Sequence, residues 1–303
     1  MPSLWKFGGL TPILLAQRSF KKLGEDELST RSAALSYYFI LALFPMLLFV
    51  VSLIGLFAGP HSELRESIFT ALGELAPGSA SALVHSVVSQ VVQASSPLKV
   101  AAGILGALWA ASAGVGAVIV SLNVVYGLRE TRPWWKQKLT VLGLTVSLAV
   151  LIILAVVLFL YGGKIGSALA AHFGLGHAFT LTWQVLQWPF LLAAMFLAFA
   201  TIYFFGPNAS RATWRWVSPG AALGIVIWLL ASLGFRIYLH FFNSYSATYG
   251  SLGAVVILLL WLYLTGFAIL AGGELNAVIE AEDRHQALQQ SALQKVQHQI
   301  KAA

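Results

Sequence analysis

The sequence predicts an all-α, polytopic membrane protein: a bundle of six transmembrane helices with both termini in the cytoplasm. Hydrophobic residues make up 58% of the 303 residues and charged residues only 10%, against about 45–50% and about 25% in soluble domains. The mean hydropathy is +0.81. The uncharged residues also gather in long runs, and the basic residues gather on one side of those runs. This composition excludes a soluble fold, which needs more charge to cover its surface.

Six uncharged runs are long enough to cross the hydrocarbon core, which takes about 20 helical residues. Helices are expected because lipid offers the backbone no hydrogen-bond partner, and the short alternating segments of a barrel are missing from the sequence. One membrane domain, residues 1–280, is predicted. Its spans cover about residues 34–58, 100–122, 140–161, 181–205, 217–235 and 251–273.

The orientation follows from the lysines and arginines, which concentrate on the cytoplasmic side of membrane proteins. Fourteen of the 18 fall in the N-terminal segment, the second and fourth loops and the C-terminal segment. Both termini are therefore predicted to be cytoplasmic. The net charge of +7 is explained by this topology, and a nucleic-acid partner is not expected.

Two segments outside the spans have helical apolar stripes. The outer loop, residues 59–99, carries Leu83, Val84, Val87 and Val91 at helical spacing. It is either a lid over a substrate path or a helix packed at the membrane interface. Residues 281–303 are predicted to be a cytoplasmic helical tail with a weak self-association or partner role. The sequence leaves a homo-oligomer open.

The chain lacks the side chains of most enzyme sites. It has no cysteine, and its aspartates are only Asp26 and Asp283. There is also no phosphate-binding glycine loop and no paired nucleophile and base. We therefore predict no enzyme activity, no cofactor and no bound metal.

Three stretches resemble the BrkB/YihY family of bacterial inner-membrane proteins. They read RSAALSYYFILALFPMLL, LWAASAGVGAVIVSLNVVYGLRETRPWWKQK and YGSLGAVVILLLWLYLTGFAILAGGELNAVIE, and they span residues 31–280. The resemblance implies six transmembrane helices with both ends inside and a multi-pass location in the inner membrane. It agrees with the charge count, which is independent of it.

The family has carried ribonuclease, virulence and transport labels. A metal-dependent ribonuclease needs clustered His and Asp side chains, but five of the seven histidines fall in predicted outer loops, away from cytoplasmic RNA. We therefore reject the ribonuclease activity. The resemblance, with the polar and small residues at helix ends, favours a transporter, channel or translocating factor for an anionic or amphiphilic, lipid-like solute. The alternative is a non-transporting envelope scaffold or resistance factor.

Arg31 and Glu274 are predicted at the cytoplasmic ends of the first and sixth spans. Charges at membrane depth are usually paired or face a cavity. The two side chains therefore either approach one another or line the same inner vestibule, or each lies separately at the interface. Asn276, at the end of the same G-x-E-L-N motif, is a candidate for the same path.

Four further residues are candidates for the path or its gating. Pro45 and Pro189 interrupt the first and fourth spans, where proline creates either a hinge or a packing kink. Trp109 and Ser112 lie in the middle of the second span. They face either the interior of the bundle or lipid.

The second loop combines basic and aromatic residues. Near the surface, each lysine or arginine attracts anionic lipid by about 1 kcal/mol. The candidate lipid contacts are Arg129, Arg132, Lys136 and Lys138. Membrane topology alone explains the same charges.

Overall fold

The computed structural model describes residues 4–57, 97–174, 176–209, 217–241 and 251–302, and these residues form helices and connecting turns without a strand. A short 3-10 segment, Leu4–Gly9, comes first. The seven α-helices that follow are α1 Pro12–Glu25, α2 Leu28–Phe57, α3 Pro97–Val125, α4 Trp134–Phe173, α5 Gly176–Phe205, α6 Pro219–Phe241 and α7 Ser251–Ala302.

Five of the described helices are long and apolar enough to cross a membrane. The qualifying stretches are Ala101–Val125, Trp134–His172, Leu181–Phe205, Pro219–Tyr238 and Val255–Ile300. They overlap the second to sixth predicted spans, and α2, an apolar helix of 30 residues, covers residues 34–57 of the first predicted span. The all-α membrane class is thus confirmed, whereas the count of six spans and the orientation of the termini stay predictions.

Two helices are much longer than the predicted spans. Helix α4 has 40 residues and α7 has 52, which correspond to about 60 Å and about 78 Å at 1.5 Å per residue. Since the hydrocarbon core is about 30 Å thick, both helices extend beyond it. Residues 281–302, predicted as a tail, continue α7 without a break.

Helix α7 occupies the centre of the packing. It packs along α6 and α2 and also contacts α1, α3 and the 3-10 segment, while α2 packs on α3 and α4 on α5. The core side chains are aliphatic, as the apolar sequence requires. They include Leu28, Leu35, Val118, Leu122, Ile225 and Leu270.

Helices α6 and α7 meet at two glycines. A Cβ added at Gly220 would overlap the main-chain oxygen of Gly272, and a Cβ at Gly272 would overlap the main-chain oxygen of Gly220. Tyr203 closes this contact from α5, since its hydroxyl donates to the main-chain oxygen of Ile269 at 2.7 Å. Glycine at both positions is what allows the backbones to approach.

Helix α1 is an element that the sequence analysis did not predict. Thr11 caps it and Pro12 occupies its first turn, a combination that favours a helix start. Leu15 is buried against Ile279 of α7. Consequently α1 packs on α7 beyond the sixth predicted span, about residues 251–273. The predicted outer loop falls mostly within residues 58–96, outside the described residues, and residues 97–99 belong to α3.

Candidate functional site

Lys138 joins two groups of residues that the sequence predicted separately. It lies in the second turn of α4, and its Nζ donates to the Ser112 Oγ of α3 at 2.9 Å. The same Nζ lies 3.7 Å from the ring centroid of Trp109. Ser112 is completely buried and donates in turn to the main-chain oxygen of Trp109 at 2.6 Å. The ammonium group is therefore directed along α3 into the apolar part of the bundle.

A cavity of about 230 Å³ surrounds this contact, between α3 and the first turns of α4. Its polar groups come from Ser112, Gln137 and Lys138, and Gly116 and Val141 form part of its apolar wall. The Trp109 side chain beside it is 53% exposed. A cation, a hydroxyl and an amide next to an exposed indole form a small, cationic, hydrogen-bonding niche at the surface of the bundle.

Lys136 provides a contrast two residues earlier. Its side chain is exposed and stands over the ring of Trp135 at 5.2 Å from the centroid. Of the two predicted lipid-contact lysines near the start of α4, Lys138 thus points inward and Lys136 outward.

A second cavity, of about 490 Å³, lies where α1, the end of α3 and α7 meet. Glu274 borders it and is only 1% exposed. Its Oε2 atom has no hydrogen-bond partner among the described residues. The charged groups that act on it are Asp26, Lys22 and Glu25. The carboxyl is therefore buried beside two acidic side chains and one ammonium group.

Two of these neighbours form an ion pair at the rim of the cavity. Lys22 Nζ lies 3.2 Å from Glu25 Oε2. The hydrogen bond between them raises the pKa of Lys22 above its ordinary value and lowers that of Glu25. Both side chains thus stay charged at neutral pH.

Arg31 does not pair with Glu274 in the part of the chain that the structure describes. Its Nε donates to the main-chain oxygen of Asp26 at 2.9 Å, and it is not among the residues lining the 490 Å³ cavity. The guanidinium stabilises the turn between α1 and α2 instead. Of the two arrangements expected for Arg31 and Glu274, the shared ion pair is therefore not formed.

Asn276 joins α7 to the start of α6. It is buried, its Oδ1 accepts from the Gly220 N–H at 2.9 Å, and its Nδ2 donates to Ser218 Oγ at 3.0 Å. Ser218 Oγ also accepts from the Ala221 N–H at 3.0 Å. The first N–H groups of a helix lack intrahelical partners, and Asn276 supplies a partner for one of them at the start of α6. Its observed role is therefore to cap α6.

Arg132 is directed inward rather than toward lipid headgroups. Its side chain makes a bidentate contact with Glu130, with Nε at 2.8 Å from Oε1 and Nη2 at 2.7 Å from Oε2. Nη2 also donates to the main-chain oxygen of Gly206 at 3.0 Å. Arg132 therefore binds the second loop to the end of α5.

Two asparagines extend this contact, and we call Asn123, Glu130, Arg132 and Asn208 the loop clamp. Asn123 donates to Glu130 Oε2 at 3.0 Å and accepts from the Asn208 N–H at 2.7 Å. Asn208 Nδ2 donates to the main-chain oxygen of Arg129 at 2.8 Å. The sequence analysis missed this use of Asn123 and Asn208, because only the fold brings them together.

The loop clamp predicts acid sensitivity. Hydrogen bonding to Arg132 lowers the pKa of Glu130 below its ordinary value. Stability from this pair is complete above the unfolded pKa of about 4.3 and is lost as the pH falls through the lowered pKa. Glu130→Gln should therefore flatten the pH dependence of thermal unfolding below about pH 4, in comparison with the wild type. An unchanged acid profile would contradict this role for Glu130.

The two intramembrane prolines lie apart from both cavities. Pro45 is half-buried within α2, and Pro189 is exposed within α5. Neither lines the 230 Å³ or the 490 Å³ cavity. Both helices continue through their proline.

Comparison with known proteins identifies the relatives of the chain. The model of the virulence factor BrkB family matches residues 19–296. The ribonuclease-like protein YfkH of Bacillus subtilis is 33% identical over 260 residues, which cover 86% of this chain and 93% of that protein. A UPF0761 membrane protein of Alteromonas mediterranea is 29% identical, over 84% of this chain and 83% of its own.

A UPF0761 membrane protein of Ralstonia nicotianae is 29% identical over 88% of this chain but only 58% of its own length, so this relative is considerably longer. No solved structure matches the chain. The family match covers nearly the whole predicted membrane domain and every residue that lines the two cavities except Arg18. The chain therefore belongs to the virulence factor BrkB family of membrane proteins.

Proposed function

We propose that this protein is a six-span inner-membrane protein, with both termini in the cytoplasm, that binds and translocates an anionic amphiphile. The observation that supports the proposal is the contact of Lys138 with the buried Ser112 and with Trp109 at the surface of the apolar bundle. Ionisable residues at membrane depth are costly, and those that occur mark substrate paths. No catalytic step is part of this proposal.

The Lys138 ammonium group has N–H donors that are available to a ligand. A lysine carries three N–H donors, and Ser112 accepts one of them. No carboxylate pairs with Lys138 among the described residues. An oxygen of a phosphate or carboxylate group would supply the missing charge. It would also accept hydrogen bonds from the ammonium and from the Gln137 amide, which lines the same cavity.

The surroundings favour a lipid-like ligand over a fully water-soluble anion. Along α3, the exposed side chains beside the cavity are apolar, and they include Leu105, Trp109 and Val120. A ligand with its anionic group at Lys138 could therefore lay an acyl chain against α3. The cavity of about 230 Å³ is below the usual range of about 300–1,000 Å³ for drug-sized ligands, so it suits a headgroup fragment rather than a whole lipid.

The test replaces Lys138 by glutamine, which keeps the polarity and removes the charge. The purified protein is incorporated into nanodiscs of phosphatidylcholine with a minor share of phosphatidylglycerol, and retained lipid is measured by native mass spectrometry. A charge-assisted hydrogen bond contributes about 1.5–3 kcal/mol. The preference for phosphatidylglycerol should therefore fall by about tenfold or more in Lys138→Gln.

Lys136→Gln is the matched control, because it removes the same charge from an exposed position two residues away in the same helix. It should lower the preference only slightly. If the two variants lost the preference for phosphatidylglycerol equally, general surface charge would be what attracts the lipid, and the proposed binding site at Lys138 would be wrong. Movement is measured separately, as transfer of a fluorescent phosphatidylglycerol between the leaflets of proteoliposomes. Retention without transfer would favour the scaffold alternative.

A further inference from the structure

Glu274 is a buried ionisable group for which the proposed lipid site has no use. It lies in α7 immediately after Gly272 and Gly273, where α7 meets α6 and α3. A Cβ at Gly273 would lie 2.7 Å from Leu122, so this part of α7 has little space on that side. The carboxyl instead borders the 490 Å³ cavity. One of its oxygens is buried there without a hydrogen-bond partner in the described chain.

An ionised carboxyl in this position is poorly compensated. Burial removes its hydration, and a charge without a full set of partners is expensive in such a place. Two of its three charged neighbours, Asp26 and Glu25, are themselves acidic. Only Lys22 opposes them, and Lys22 is already paired with Glu25 at 3.2 Å.

A proton suits this position better than a metal ion. Carboxyl groups that share a small space can share one proton between them, which removes the repulsion. A metal ion would need several ligands, and the described residues include no group of three or more His, Asp or Glu side chains able to hold one. The unpartnered oxygen then becomes the donor or acceptor of a carboxylic acid hydrogen bond.

We propose that Glu274, with Asp26 beside it, is a proton-binding site that exchanges with water through the 490 Å³ cavity. We propose further that its loading and unloading supplies the driving force for translocation. This second step depends on the function proposed above, whereas the first does not. On loading, a proton passes from cavity water to the Glu274 carboxylate, and on unloading it returns to the water.

The charged and titratable groups around Glu274 come from α1 and its following turn, from α3 and from α7. They are Lys21, Lys22, Glu25 and Asp26 from α1 and its following turn, Tyr126 from the end of α3, and Arg284 and His285 from α7. Farther along the cavity, Arg18 of α1 is paired with Glu282 of α7 at 2.7 Å. Arg31 of α2 is bound to the main-chain oxygen of Asp26.

Proton release has a direct consequence for α1. When Glu274 becomes negative, it competes with Glu25 for the ammonium of Lys22. The contacts of α1 with α7 then change, although Leu15 and Ile279 keep their apolar packing. Because Glu274 follows directly on the glycines that touch α6 and α3, a change in charge acts where three helices are in close contact.

The test measures the proton on the carboxyl itself and needs no cargo. Infrared difference spectra of the purified full-length protein in lipid are recorded through a pH titration, and the C=O stretch of a protonated carboxyl is followed. We expect a band that disappears as the pH rises and is missing in Glu274→Gln. In Glu282→Gln, which removes the carboxyl paired with Arg18 in the same cavity, the band should remain.

Two further variants give opposite shifts. Asp26→Asn removes a like charge and should move the midpoint of the band to lower pH, whereas Lys22→Gln removes an opposite charge and should move it to higher pH, each by about one unit. The proton site would be overturned if the wild type showed no carboxyl band that depends on Glu274. It would also be overturned if neither Asp26→Asn nor Lys22→Gln shifted the midpoint of the band. If the band behaves as expected but phosphatidylglycerol is not moved, the proton site stands and the proposed function fails.

Discussion

Replacing Gly220 by alanine is expected to destabilise the folded protein by about 3 kcal/mol or more, the upper part of the range for overpacked cores. The new methyl group would overlap the main-chain oxygen of Gly272 and come within 2.6 Å of the Asn276 side chain. A main-chain oxygen cannot rotate away as the end of a flexible side chain can. The helices α6 and α7 must therefore separate, and the cap on α6 must loosen with them. Thermal unfolding of the purified protein in detergent measures the loss.

Gly234→Ala is the matched control on the same helix, since a Cβ there would meet no atom of the described residues within 4 Å. Alanine favours a helix over glycine by about 1 kcal/mol. This variant should therefore unfold at the wild-type temperature or slightly above it. Equal stability of Gly220→Ala and Gly234→Ala would show that α6 and α7 do not meet as described.

Replacing Arg132 by alanine should cost about 2 kcal/mol of stability, less than for a fully buried ion pair. The side chains of Arg132 and Glu130 are 17% and 24% exposed, so water screens the pair in part. The variant loses the bidentate contact with Glu130 and the bond to the main-chain oxygen of Gly206. Limited proteolysis of the second loop, together with thermal unfolding, measures the effect.

Arg129→Ala removes the same charge from an exposed position in that loop. Only its main-chain oxygen takes part in the loop clamp, and alanine keeps that oxygen. The loop should stay resistant to protease in this control. Equal cleavage in Arg129→Ala and Arg132→Ala would indicate that net charge, rather than the clamp, holds the loop.

The sequence predicts most of the transmembrane helices, because a lipid environment leaves a long apolar segment few alternatives to a helix. It predicts the ends less well. Hydropathy detects the apolar part of α7, and helical spacing predicts a helical tail over residues 281–303, but neither indicates that the two form one unbroken helix. Helix α1 has a recognisable start signal in Thr11 and Pro12. The packing role of its apolar Leu15 is evident only in the fold, where Leu15 lies against Ile279.

For the candidate site, too, the sequence predicts the residues but not how they are arranged. The sequence analysis selected Lys138, Trp109, Ser112 and Glu274 as separate candidates. It did so because polar and aromatic side chains in or next to a membrane span call for a structural or functional explanation. It placed Lys138 at the lipid surface, because charge alone does not tell which way a long side chain turns. The inward direction of Lys138 and of Arg132 depends on the packing of α4 on α3 and on the end of α5. No local pattern encodes that packing.

The unbroken helix α7 has a mechanical consequence. Thirty residues separate Gly272 from Ala302, a lever arm of about 45 Å at 1.5 Å per residue. A tilt of about 10° at the Gly220–Gly272 contact would therefore carry the far end of the helix through about 8 Å. Events inside the membrane can thus be transmitted to the water-exposed end as a displacement comparable to the diameter of a helix, with no hinge or linker between them.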